Sequence, residues 1–412
     1  MDFSDSPEEA KFRAEVRAFL DKAAVRRAPG EVNGYRRGQD KPGAVDAAKA
    51  FQRKKYEAGY AGITWPKEWG GRGGTPIQQV IYNQEEAHYK VMSQMFVIGL
   101  GMLMPTICTW GTPEQKARFV EPALRGDEIW CQLFSEPAGG SDLAALRTRA
   151  ERDGDDWVIN GSKIWTSGAH YSSYGCLVAR SDSTAQKHKG LTYFWIDMKA
   201  KGVDIQPIRQ ASGSSHFNQV FFNDLRIPDS QRIGAVGDGW KVAITTLMNE
   251  RFAAGETPGP DANELIELAR QLQNENGPLI DDPAVQERIA EFYVRTQGLR
   301  FTKFRTMTRL ARGGTPGPEA SIGKLVTASK LQEITSYGLD LMGQAAGVAT
   351  SDMPLAGIFE EALMYSPAMR IAGGTDEILR NIIAERVLGL PPDVRIDKDV
   401  PFTDVPTGAK RA

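Results

Sequence analysis

Residues 130–169 read WCQLFSEPAGGSDLAALRTRAERDGDDWVINGSKIWTSGA, and the chain is best read outward from them. A short apolar strand is predicted from Ile129 to Phe134. It breaks into a small-residue loop, Ser135-Glu136-Pro137-Ala138-Gly139-Gly140-Ser141-Asp142. Glycines at a strand end let backbone N–H groups approach a ligand closely. Asn160-Gly161 predicts a turn, and Lys163–Ser167 a second strand that carries Trp165 beside Thr166 and Ser167. An indole face next to small hydroxyl donors would make a wall for a flat heteroaromatic ligand. A plain hairpin in a β-domain fits the same residues.

Of the 412 residues, 41% are hydrophobic and 25% charged, enough for two or three domains around a large core. Lys and Arg number 50 against 52 Asp and Glu, so no basic surplus points to nucleic acid or anionic lipid. Cys108, Cys131 and Cys176 are far apart without a CxxC, and the four histidines show no ligand spacing, so neither a disulfide framework nor a metal site is expected. The N-terminus lacks a signal-peptide pattern, and no apolar run is read as reaching the roughly 18 residues that span a bilayer. The expectation is a cytoplasmic protein.

Residues 1–128 read as helices. Ser6-Pro7-Glu8-Glu9 is a capping box, followed by an apolar stripe at Phe12, Val16, Phe19 and Leu20. From about 129 to 232 the period shifts to two. Strands are expected at 156–159, 174–179, 191–198, 203–208 and 219–222, with turns at Asp153-Gly154, Asn160-Gly161 and Asn223-Asp224. Residues 233–412 return to helix, at about 238–256, 260–276, 283–312, 317–347, 353–366 and 375–388, with a polar tail from 393. The fold class read here is mainly α with an inserted β-domain.

Two further stretches could carry chemistry. On the helix that includes Trp240–Arg251, Ala243, Leu247, Glu250 and Ala254 share one face, so a carboxylate continues an apolar stripe. Such a carboxylate suits a general base; an arginine-paired glutamate at the stripe's edge fits equally. In Ile371-Ala372-Gly373-Gly374-Thr375-Asp376-Glu377-Ile378, Thr375 is a good N-cap, and the two glycines before it allow close approach of an anion. A plain helix start reads the same.

Together these pieces resemble the acyl-CoA dehydrogenase family over nearly the whole chain. Phe134–Asp142 is similar to its flavin-loop signature and Ile159–Ser167 to its second FAD segment. The resemblance implies an N-terminal helical domain, a middle β-barrel or sandwich and a C-terminal four-helix bundle. It implies that Phe134 and Ser135 meet the flavin pyrimidine edge, Trp165 packs near the isoalloxazine and Ser167 bonds N5. Ser141 would lie near the pyrophosphates of FAD or CoA. Thr375 and Glu377 would reach FAD phosphate and ribose, and Gly343 and Gly347 FAD of a neighbouring subunit. Arg251 and Gly374 would border the substrate.

The chain departs from the pattern in two places. Where most members carry the catalytic glutamate it has Gly373; a minority carry it on the helix that here holds Glu250. The base is therefore assigned to Glu250, and the Gly373 N–H to the thioester carbonyl. The usual Arg-x-x-Phe-Gly segment is replaced by Gln271–Leu279. Both departures resemble the bacterial subfamily that handles sterol side chains and other bulky acyl groups. The implied activity is FAD-dependent α,β-dehydrogenation of an acyl-CoA to the 2-enoyl-CoA, with flavin N5 as hydride acceptor and electron-transferring flavoprotein as electron acceptor. A homotetramer, a homodimer or a heteromeric pair is expected. The rival readings are an oxidase or monooxygenase on the same fold, and a non-catalytic partner subunit.

Overall fold

The computed structural model describes residues 5–28, 41–253, 259–311, 317–318, 320–343, 354–394, 397 and 399–405. Its helices are α1 Pro7–Ala23, α2 Ala44–Glu57, α3 Pro76–Glu86, α4 Met104–Trp110, α5 Pro113–Arg125, α6 Gly239–Ala253, α7 Ala262–Gln271, α8 Pro283–Ala311, α9 Ala320–Met342, α10 Ile358–Met369 and α11 Asp376–Arg386. Three begin in the same way: Ser6, Thr75 and Thr112 each close a capping box and are followed by proline at the first helical position.

The helices belong to two compact units that cut across chain order. One contains α1, α3 and α7–α11; the other contains α2, α4–α6 and the sheet. In the first, α1 buries Phe12, Val16 and Leu20 and meets α3 through Arg13 and Arg17, which both bond the buried Glu85. Leu265, Leu268, Phe292, Ile334 and Phe359 of α7–α10 form that unit's main core.

In the second unit the strands are β1 Trp130–Leu133, β2 Arg149–Asp153, β3 Asp156–Ser167, β4 Tyr174–Arg180, β5 Leu191–Asp197, β6 Val203–Ile208, β7 Phe217–Pro228 and β8 Arg232–Ile233. They form one eight-stranded sheet in the order β8-β5-β4-β2-β3-β7-β6, with β1 parallel to β4. Alternate residues face opposite ways, and both faces are covered. One buries Leu133, Leu177, Phe194, Val220 and Phe222. The other buries Trp130, Phe134, Val178 and Tyr193 against Ile107, Phe119, Leu124, Val242 and Ala243 of α4–α6. Burial on both faces explains why β4 is almost continuously apolar.

Several expectations are corrected. Asn160-Gly161 and Asn223-Asp224 are not turns. They lie opposite each other inside the 12-residue strands β3 and β7, where the register shifts at Ile159/Gly161. The Asn160 and Asp224 side chains and backbone bond each other across the irregularity, so the turn-forming residues make a bulge. Strands β2 and β8 escaped the sequence reading, and α7 stops at Gln271. A small hairpin, Gln273-Asn274 against Gly277-Pro278, follows where the Arg-x-x-Phe-Gly segment is missing. The helical stretch Ser93–Trp110 does reach membrane-spanning length and apolarity, contrary to the sequence reading. Half of it is buried, with Met102–Met104 and Ile107 in the core.

Candidate active site

The loop after β1 is held by a buried ion pair. Lys163 of β3, fully buried, donates from Nζ to the Phe134 carbonyl at 3.0 Å and to Glu136 Oε1 at 2.8 Å. Glu136 also accepts from the Arg147 and Thr148 amides at 2.7 and 2.9 Å. Ile164 donates its amide to the Ser135 carbonyl at 2.9 Å, and Glu136 and Gly139 exchange backbone bonds at 3.0 Å. Burial alone would raise the Glu136 carboxyl; the Lys163 ammonium and the amides outweigh it and hold the group below the usual carboxylate range. Burial pushes Lys163 down to about 8 against the pull of Glu136, so both are ionised at neutral pH. The loop is thus fixed from beneath, and Ser141 and Asp142 are exposed at its outer end. The Phe134 ring is spent on the core, edge-on to Tyr193 at 5.9 Å, so only its backbone is left to meet a ligand.

Trp165 sits in a second irregularity of β3, between Lys163 and Thr166. Its φ is +60°, in the left-handed region that a bulky residue enters at a cost. The bulge turns the indole outward; it is 55% exposed and stands edge-on to Phe217 at 5.9 Å. Ser167, half-buried, lies two residues on, and Thr166 Oγ1 is buried with no hydrogen-bond partner. An outward indole with the half-buried Ser167 two residues on, and a glycine-rich loop with an exposed serine, are the groups that this unit offers a flat ring and its phosphates.

Glu250 lies near the end of α6, half-buried, on the line that continues Ala243 and Thr246. Gln132 of β1 donates from Nε2 to Glu250 Oε2 at 3.5 Å. The helix is pinned one turn earlier: Thr246 Oγ1 meets Thr106 Oγ1 at 2.9 Å and Tyr193 Oη at 3.0 Å, and Trp110 Nε1 donates to Thr245 Oγ1 at 2.9 Å. Tyr193 thereby links the helix of Glu250 to the Phe134 ring. Sequence reading missed Gln132, although a polar residue between Trp130 and Phe134 on the helix-facing side of a strand was a signal for it.

In the other unit, Gly373 and Gly374 carry φ of +67° and +96°, a turn that favours glycine at both places. Lys324 of α9 donates to the Gly374 carbonyl at 2.5 Å. Arg370 bonds Asp376 Oδ2 at 2.6 Å and Gln332 Oε1 at 2.9 Å. Thr375 caps α11, accepting from the Ile378 amide at 3.3 Å. Asp376 is buried and committed to Arg370, whereas Glu377 is exposed; its own amide, then the Thr375 hydroxyl, hold its carboxyl low. Gly343 ends α9 with φ +58°. Gly347 and the side chain of Arg251 lie outside the described residues. Phe134, Ser135, Ser141, Trp165, Ser167 and Glu250 thus gather in one unit, and Gly373, Gly374, Thr375 and Glu377 in the other.

Three family models match most of the chain in succession: acyl-CoA dehydrogenase N-terminal domain over residues 6–127, middle domain over 131–225 and C-terminal domain over 237–388. Acyl-CoA dehydrogenase IpdE1 of Mycobacterium tuberculosis is 37% identical over 93% of this chain and 98% of its own. Acyl-CoA dehydrogenase FadE34 of the same organism is 39% identical over 90% of this chain, which spans about half (51%) of that relative. Among solved structures, the Tcur3481-Tcur3483 steroid ACAD and the ChsE4-ChsE5 complex from Mycobacterium tuberculosis each superpose with a TM-score of 0.78 at 26% identity, covering 95% of this chain and 100% of theirs. The chain belongs to the acyl-CoA dehydrogenase family, a family of FAD-binding oxidoreductases.

Proposed function

We propose that this family member dehydrogenates the α,β bond of a bulky acyl-CoA thioester, with Glu250 as the base. The observation that carries the reading is the Gln132–Glu250 contact, which brings a carboxylate to the strand that opens the Phe134–Asp142 loop. FAD, when bound, supplies the hydride acceptor. Phe134, Ser135, Trp165 and Ser167 would hold its ring, Ser141, Thr375 and Glu377 its phosphates and ribose, and Gly343 and Gly347 FAD of a neighbouring subunit.

Glu250 removes the α-proton onto its carboxylate while the β-hydride leaves, so the thioester loses two hydrogens and gains a double bond. The Gly373 N–H bonds the thioester carbonyl and stabilises the enolate-like charge, an effect of typically about 3 kcal/mol. Ser141, Arg251 and Gly374 would border the acyl-CoA, Ser141 at its pyrophosphate. A relative described as a steroid ACAD supports a bulky, ring-bearing acyl group, and the ChsE4-ChsE5 complex supports a heteromeric pair. Electron-transferring flavoprotein is the proposed acceptor. Anaerobic addition of a panel of straight, branched and steroid-bearing acyl-CoAs tests the reading: bleaching of the flavin by a bulky member supports it. Peroxide formation in air would instead favour an oxidase, and no bleaching by any thioester a partner subunit without chemistry.

A further inference from the structure

Residues 397 and 399–405, which the sequence presents only as part of a polar tail, fold back onto the β-domain unit beside the end of the Phe134–Asp142 loop. Phe402 and Thr403 donate their amides to the Ala185 and Ser183 carbonyls at 3.0 and 3.1 Å, and Pro401 bridges to Gln186. Two buried cations join this segment to the loop. Lys187, whose side chain is 4% exposed, bonds Asp142 at 2.8 Å on one side and Asp397 on the other. Arg180 lies under the Phe402 ring, with its guanidinium carbon 3.7 Å from the centroid. The same guanidinium donates to the Ala144 carbonyl at 2.5 Å and to the Lys187 carbonyl at 2.8 Å. Asp142 directly follows Ser141, and Ala144 lies two residues beyond Asp142.

A buried lysine between two carboxylates is stable only while both stay in place, since losing one leaves a charge poorly compensated. An arginine covered by an aromatic face is likewise shielded from water, which strengthens its bonds to the loop carbonyls. We propose that Asp397 and Phe402 act through Lys187 and Arg180 as positioning residues for the Ser141–Leu146 loop, fixing it for the phosphates of a dinucleotide or of CoA. The proposal rests on the phosphate-binding role given above to Ser141.

The test compares the full chain with one ending at Val394 and with an Asp397→Asn, Phe402→Ala double variant, which keeps the proposal testable if the shorter chain fails to fold. Amide hydrogen exchange of the flavin-free proteins reads the loop directly: Ala145 and Leu146 bond back to Asp142 and Leu143, and their exchange is expected to accelerate. The flavin dissociation constant and the KM for acyl-CoA are expected to rise about tenfold, the scale of one lost charge-assisted hydrogen bond, while kcat at saturation stays within about twofold. Unchanged exchange overturns the proposal, as does faster exchange with unchanged affinities, or a loss confined to kcat. If the full chain binds no flavin, the dehydrogenase reading fails instead, and the exchange measurement alone decides whether the tail holds the loop.

Discussion

The amide of Gln132 donates to the carboxylate of Glu250 over 3.5 Å, tying the strand that opens the Phe134–Asp142 loop to the helix that carries the proposed base. The two residues are 118 positions apart. Glu250→Gln is expected to lower the rate of flavin reduction by about 10²–10⁴, the range for a lost general base, with flavin still bound. Gln132→Leu is expected to lower it about tenfold, the worth of one hydrogen bond to a charged group, with a smaller change in KM. Stopped-flow reduction by a good acyl-CoA measures both. Normal turnover by Glu250→Gln would remove Glu250 from the mechanism.

The Lys163–Glu136 pair gives the Phe134–Asp142 loop its own pH dependence. The folded pKa of Glu136 lies below its unfolded value, so its stabilisation is complete above the usual carboxylate range and is lost as pH falls through the lower folded value. Lys163 runs the other way. Its folded value of about 8 is under the free lysine value of 10.5, so losing its proton between these favours the fold rather than opposing it. Flavin release is therefore expected to begin above about pH 8 while global stability holds, because the loop loses its ammonium donor. Flavin fluorescence and urea unfolding across pH 7–10, in the terms of that linkage, separate the two. Lys163→Met leaves the Glu136 carboxylate buried without its cation and is expected to cost about 3–5 kcal/mol in urea unfolding.

Trp165→Gly replaces a strained left-handed residue by the one suited to that backbone. The relief, about 1 kcal/mol, is offset by glycine's greater freedom when unfolded, so the flavin-free protein is expected to unfold within about 1 kcal/mol of the parent. Flavin affinity is expected to fall at least about tenfold through the lost ring contact. Equal affinity by fluorescence titration would show that the indole does not wall the ring.

Lys324→Met removes the donor that holds the Gly374 carbonyl. On the role proposed for the Gly373 N–H, its aim then worsens, and kcat/KM is expected to drop about tenfold, the result of imprecise placement, with flavin affinity unchanged. Arg370→Gln strands the buried Asp376 carboxylate and is expected to destabilise the helical unit by about 3 kcal/mol. Thermal unfolding of the two variants distinguishes aiming from support: only the second should melt markedly lower.

Local signals reached the elements that depend on neighbours along the chain. The capping box at Ser6, the stripe of α1 and the N-cap at Thr375 involve only residues three or four apart, and each stands where its spacing puts it. Asn160-Gly161 misled because a bulge and a turn ask for the same residues; only the facing Asp224, 64 positions away, decides between them. Lys163 was read as part of a motif without its task, since its partner Glu136 becomes visible only once β3 lies under the loop. Gln132, Lys187 and Arg180 escaped for the same reason: a buried polar side chain is defined by what surrounds it, and composition alone says nothing of that.

Each compact unit is built from segments distant in the order of synthesis: α1 and α3 rest with α7–α11, and the segment at Phe402 closes on the loop between β4 and β5, made some 200 residues earlier. A ribosome releasing this polypeptide must therefore deliver nearly all of it before either unit can be completed. α1 can meet α3 early, but the α7–α10 core of their unit is made last, so completing it depends on contacts of long sequence separation, which slows folding.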